Sequence, residues 1–223
     1  ITSGIDDGML ISKEKILEKL HGHPKSGGIL NVILLSRIDP SKGIQFAIEG
    51  LEKAAVEGNT RISLWIVGRV SVDSYLDLLK ELAGRSTINI EFHIDVSEER
   101  KLELLDIAQV YILPTLQDTF GITIVEAGAR GNIIVTTDTV GPRFVIDGPR
   151  ASEHEWGVVT DYGVAASKTH EPLDNLSENL SRGIQWVLDH WDESIEMTVA
   201  FREKIKRDYM WDAVVNAYVE LYR

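Results

Sequence analysis

The chain has 223 residues, 43% hydrophobic and 26% charged, which is the mix of a globular protein with ample length for a core and excludes a disordered one. A net charge of −12 argues against nonspecific nucleic-acid binding and against a basic membrane-surface patch, so an anionic ligand must be held by local cations and backbone amides. There is no cysteine, which excludes disulfides, thiolate metal sites and cysteine nucleophiles. No apolar run has the length of a membrane span and no signal peptide stands at the start, so a cytoplasmic location is expected.

The opening "ITSGIDDGML" reads as a linker without an initiator Met. In "SKEKILEKL", Ser12 caps a helix whose face carries Ile16, Leu17 and Leu20, and "HGHPKSGG" is a loop. The apolar run "ILNVILLS" has strand length. After "RIDPSKG" a helical pattern continues through Ala47, Ile48, Leu51 and Ala55. The alternation goes on with strand "RISLWIVG", helix "SYLDLLKELAG", strand "INIEFHI", helix "EERKLELLDIA" and strand "VYILPT". A helix after Phe120, strand "NIIVTT" and a short strand near "GVVT" follow. Strands apolar at nearly every position and alternating with helices predict a parallel sheet covered on both faces, a Rossmann-like α/β layer sandwich. Pro172 opens a helix with Leu173, Leu176, Leu180, Ile184, Val187 and Trp191 at helical spacing, and two further helices complete the chain. These helices are expected to pack across the sheet or toward a neighbouring domain. Residues 1–28 are then a linker and first helix, 29–170 the core and 171–223 the C-terminal helices. The triplets at Asn175 and Asn179 match the glycosylation pattern by chance, inside a helix.

In open parallel sheets ligands gather at the carboxyl ends of the strands, and three stretches fall there. In "SRIDPSKG", Arg37 ends a strand and Lys42 stands at the mouth of the next helix. Such a pair can clamp a diphosphate with a guanidinium fork and a point charge. The plainer alternative pairs Arg37 with Asp39 and leaves Lys42 solvated. In "HIDVSEERK", Val96 precedes a helix capped by Ser97. Here a loop can cover a base with Glu98 or Lys101 at its polar edge, against the alternative of an ordinary capped helix. In "LPTLQDTFGITIVEAGARG", Asp118 lies beside the helix-opening amides of Phe120, Gly121 and Ile122, an anion or hydroxyl site reinforced by the helix dipole. Glu126 sits in the second turn among apolar residues, where an ionised carboxylate needs partners. A vicinal diol such as a ribose supplies two donors. The alternatives are a pair with Arg130, four residues on, and a simple capping role for Asp118. The six histidines form no metal pattern. No G-x-G-x-x-G follows the first strand, which disfavours a nicotinamide-binding Rossmann domain.

R-x4-K at Arg37 and Lys42, the valine loop at Val96, "DTFGITIVEAGARGNIIVTTDTVGPRFVIDG" with acid-x7-acid at Asp118 and Glu126, and a terminal "WDAVVNAYVELY" together resemble the donor-binding half of retaining glycosyltransferases of family 4. The likeness covers nearly all of the chain and implies the C-terminal half of a GT-B fold. It implies that Arg37 and Lys42 contact the diphosphate of a nucleotide-sugar, that Val96, Glu98 and Lys101 border the base, and that Asp118 binds sugar hydroxyls with the amides of Thr119, Phe120, Gly121 and Ile122. Glu126 is implied to hold the ribose diol. The resemblance implies no metal or other cofactor. It places the acceptor site, and any peripheral membrane contact, in an N-terminal domain of the same parent protein. The sequence departs from the family where Asp118 replaces the usual Glu, one methylene longer, and where "GARGN" replaces a small-residue and proline pattern after the second acid. A non-catalytic nucleotide-sugar-binding or scaffolding module is the alternative function.

Overall fold

The structure, a computed structural model, describes residues 4–155, 157–166 and 175–221. Its first helix, α1 (Lys13–Lys19), is capped by Ser12, whose Oγ accepts from Lys15 N at 3.3 Å. The core alternates as predicted: β1 (Ile29–Leu35), α2 (Ile44–Glu57), β2 (Arg61–Gly68), α3 (Asp73–Arg85), β3 (Asn89–Ile94), α4 (Glu98–Ile107), β4 (Val110–Leu113), α5 (Ile122–Ala129) and β5 (Ile133–Thr137). Ser97 caps α4 by accepting from Arg100 N at 3.2 Å. Beyond β5 come α6 (Val140–Ile146), β6 (Ala151–His154), β7 (Gly157–Thr160) and β8 (Val164–Ala166), then α7 (Leu176–Asp189), α8 (Trp191–Asp208) and α9 (Trp211–Leu221).

Among the described residues the strands form one sheet in the order β3-β2-β1-β4-β5-β8-β7-β6. From β3 through β8 all neighbours are parallel, with register Ile29↔Arg61 to Leu35↔Val67 on one side of β1 and Val32↔Val110 on the other. β6 and β7 extend it antiparallel. Alternate side chains feed two cores. Leu30, Val32 and Leu34 pack with α2, α3 and α7, while Ile33 and Leu35 pack with α4, α5 and the Phe201–Ile205 face of α8. The expectation that the C-terminal helices return across the sheet holds for α7 and α8: Leu180, Ile184 and Val187 are fully buried on one face and Phe201 and Ile205 on the other. Gly50 of α2 lets the helices meet, since a Cβ there would stand 2.8 Å from Ser177 O of α7.

Several expectations are corrected. α6, β6 and β8 were not read from the sequence: α6 is a short helix whose first turn holds Gly141 and Pro142, which read locally as a turn, and β6 is an exposed polar strand, "ASEH", whose pattern carries no apolar signal. β3 is not buried on both faces, because it is the sheet's edge. The helix opening placed at Pro172 and Leu173 lies outside the described residues, and the described helix begins at Leu176. Asn179 is buried in α7, which closes that triplet to a glycan.

Candidate functional site

The chain runs from β1 outward to β2 and β3, then returns to place β4 on the other side of β1. The connections after β1 and β4 therefore diverge and leave a crevice between them at the carboxyl edge, the topological switch point where open α/β sheets take their ligands. The loops there are tied together, with Leu116 N donating to Ser41 O at 2.9 Å. A cavity of about 270 Å³ opens in this crevice, lined by Ser36, Arg37, Lys42, Asp118 and the run from Thr119 to Thr123.

Lys42 ends a short 3₁₀ turn, Pro40–Lys42, that Asp39 caps by accepting from Ser41 N at 2.9 Å. The turn drives the lysine inward, where it is buried and its Nζ donates to Asp118 Oδ2 at 2.7 Å. It is not solvated. Arg37 stays outside, its side chain 63% exposed and Nη1 3.9 Å from Asp39 Oδ2, so the two cations are unequal: one is committed and one is loosely held. Asp118 Oδ1 accepts from Phe120 N at 3.1 Å and Gly121 N at 3.0 Å. Two of the three amides expected to be open at this turn, those of Phe120 and Gly121, are thus occupied by the acid itself, as a cap requires. Burial pushes the Asp118 carboxyl up, but the Lys42 ammonium and these amides outweigh it and hold the group below its ordinary value. Gly121 opens α5 at φ +86°, left-handed backbone that glycine adopts without strain.

Glu126 belongs to a second cluster. Its Oε1 accepts from Lys101 Nζ at 3.2 Å, and Lys101 also meets Glu98 Oε2 at 2.6 Å. The expected alternative partner, Arg130, turns away to Asp106 and to the carbonyls of Gly8 and Met9. Burial works to lower the Lys101 ammonium, yet Glu98 and Glu126 leave it above its ordinary value. Lys101 and Glu98 are therefore bound up with Glu126. Val96 packs partly buried against the core under α4. Arg37, Lys42, Asp118, Thr119, Phe120, Gly121 and Ile122 share one cavity, whereas Glu98, Lys101 and Glu126 form an ion-pair chain bridging α4 and α5.

Sequence reading passed over Tyr111, Thr123 and Gly141. The fully buried Tyr111 hydroxyl donates to Leu35 O at 3.1 Å and meets Thr123 Oγ1 at 2.6 Å, joining the end of β1 to the first turn of α5. Burial pushes that phenol well above its ordinary value. A lone tyrosine in an aliphatic buried strand was the available signal, because its hydroxyl needs a partner. Gly141 lies against the Asp118 loop, where a Cβ would meet Phe120 N at 2.4 Å and Thr119 C at 2.6 Å. Among the described residues no group of three or more His, Asp or Glu is placed to hold a metal ion, and no helix is long and apolar enough to cross a membrane.

A family model described as Glycosyl transferases group 1 matches residues 30–174. The phosphatidyl-myo-inositol mannosyltransferase of Mycobacterium tuberculosis is 29% identical over 220 residues, covering 98% of this chain and 53% of that protein. A probable sucrose-phosphate synthase of Thermosipho melanesiensis is 28% identical over 158 residues, 67% of this chain and 36% of that one. Among solved structures, HepE of Anabaena in complex with UDP and glucose superposes with a TM-score of 0.71 at 16% identity, over 98% of this chain and 55% of that one. Sucrose-phosphate synthase from Thermosynechococcus elongatus superposes with a TM-score of 0.72 at 20% identity, over 100% of this chain and 51% of that one. The chain spans about half the length of the mannosyltransferase it matches. The fold is the Rossmann-like layer sandwich of GT-B glycosyltransferases.

Proposed function

This chain belongs to the glycosyl transferases group 1 family, and from that premise we propose that it is the donor-binding half of a retaining glycosyltransferase. It takes a nucleoside-diphosphate sugar and passes the glycosyl group to an acceptor held by an N-terminal domain of the parent protein. One observation carries the reading: the switch-point crevice gathers Arg37, Lys42, Asp118 and the opening turn of α5 around one cavity of about 270 Å³. The relatives named above are a mannosyltransferase and a synthase, and HepE was solved with UDP and glucose; these support the class of ligand.

In this reading residues 29–170 form the nucleotide-sugar core and 171–223 brace it. Arg37 and Lys42 contact the diphosphate, and the dipole of α5 adds to them as charge develops on the leaving group. Thr119, Phe120, Gly121 and Ile122 line the sugar side, where Asp118 takes sugar hydroxyls. Val96, Glu98 and Lys101 border the base, and Glu126 takes the ribose diol while keeping Lys101. The charge is stabilised by these side chains and amides, with no metal or other cofactor invoked and no covalent intermediate on the protein. Any peripheral membrane contact is assigned to the N-terminal domain.

The test is calorimetric titration of UDP, GDP and ADP into the wild type, Arg37→Ala and Lys42→Ala. Each variant is expected to bind the preferred diphosphate about tenfold more weakly or worse, with its fold kept. Unchanged affinity in both rules out the clamp.

A further inference from the structure

Asp118 already sits where an anion would. Its Oδ2 is 2.7 Å from Lys42 Nζ and its Oδ1 takes the amides of Phe120 and Gly121, so one carboxylate engages the inner cation and the helix-opening donors together. The pair is largely withdrawn from water, with side chains 11% and 19% exposed, so it is weakly screened. Arg37, outside, is the remaining clamp cation, on a chain of net charge −12.

We infer that Asp118 is a specificity-determining residue that makes this site favour a sugar-linked diphosphate over the free nucleoside diphosphate. The inference rests on the donor-site reading above and deepens it. A free diphosphate ends in a phosphate with one more ionisable oxygen than the same phosphate esterified to a sugar. Brought to Lys42, that terminal group lies beside the Asp118 carboxylate, where like charges repel and the carboxylate receives no donor in return. The esterified form carries less charge at that position, and its sugar hydroxyls donate to Asp118. After transfer the hydroxyls leave with the sugar and the extra charge appears. The same carboxylate then competes with the product for Lys42 and hastens its departure.

Asp118→Asn separates this role from a structural one. Asparagine is isosteric and keeps the Oδ1 acceptor for Phe120 N and Gly121 N, but it loses the charge that competes for Lys42. Dissociation constants are measured for UDP and UDP-glucose, GDP and GDP-mannose, and ADP and ADP-glucose, on the wild type and the variant. For the nucleotide that binds, the free diphosphate should tighten about tenfold in Asp118→Asn while the sugar form does not tighten, so the preference for the sugar form falls by at least that factor. If the preference is unchanged, whether both constants move together or neither moves, the inference is overturned and Asp118 is a cap alone. Should Asp118→Asn fail to fold, Asp118→Ser keeps a short acceptor for the amides and the same ratio is read. Lys42→Ala runs in parallel. If it and Arg37→Ala both leave every affinity unchanged, or if no nucleotide binds, the donor-site reading itself falls. If Lys42→Ala weakens binding and Asp118→Asn leaves the ratio alone, only the present inference does.

Discussion

Glu126 is a partly buried acid with one cation, Lys101, at 3.2 Å, and that contact uses one of its oxygens. On the donor-site proposal, a ribose diol on the remaining lone pairs is the reason for an acid at this position. Glu126→Gln is expected to weaken ribonucleotide binding and to weaken 2′-deoxy analogues less, as read by calorimetry. Equal losses would assign the acid wholly to Lys101. Lys19 makes a different kind of statement. Its Nζ donates to Leu105 O and Arg130 O at 2.7 Å each, and burial pulls its pKa down to about 7. With the folded value below the unfolded 10.5, the unfolded chain binds the extra proton between these limits, so this group makes stability rise with pH in that window. The gain is at most about 1.4 kcal/mol per pH unit. Chemical denaturation from pH 7 to 10 should show wild type gaining on Lys19→Met as pH rises. A constant difference would mean that Lys19 stays charged.

α5 is the element on which the site depends, because its first turn faces the cavity and its far end is buried under α8. Gly128 permits that close packing: a Cβ would stand 2.3 Å from Phe201 Cε1 and 2.8 Å from Ile205 Cδ1. Gly128→Ala should cost about 1–3 kcal/mol by overpacking, visible as a lower denaturant midpoint at unchanged slope, with nucleotide affinity kept. Gly141→Ala should do the reverse. Its Cβ would strike the backbone of Thr119 and Phe120, shift the Asp118 loop and weaken diphosphate binding by about tenfold or more, with a smaller loss of stability. If the two variants lose affinity alike, α5 moves as a unit and the separation fails.

For the molecule as a whole, the sheet is covered on both faces by its own helices, so the chain should fold alone and bind nucleotide. It should not transfer sugar. Orienting an acceptor against the donor carbon is worth roughly 7–11 kcal/mol, and at about 1.4 kcal/mol per tenfold its loss removes detectable turnover. A mass-detected assay across several donors and acceptors checks this, and robust transfer would relocate the acceptor site to this chain. Trp211, Val215, Tyr218 and Val219 are exposed along α9, and Val140 and Phe144 along α6. Such apolar surface favours self-association, so sedimentation should show mass rising with concentration.

The layer architecture was legible from sequence because buried parallel strands must be apolar on both faces and their crossovers must be amphipathic; "ILNVILLS" and "VYILPT" could be little else. The caps Ser12 and Ser97 were legible for the same local reason, since each satisfies amides within its own turn. Where polarity pairs across the fold, the reading stopped. That Lys42 turns inward to Asp118, 76 residues away, and that Glu126 chooses Lys101 over its helical neighbour Arg130, depends on which loops the strand order brings together. An exposed strand such as "ASEH" carries no burial signal at all, so only its partner β7 defines it. Sequence by itself determined the periodicities, and with them the elements and the edge where charge collects. Tertiary structure alone decided which charges meet, because ion pairs are chosen by distance in space and desolvation, neither of which is written in local order.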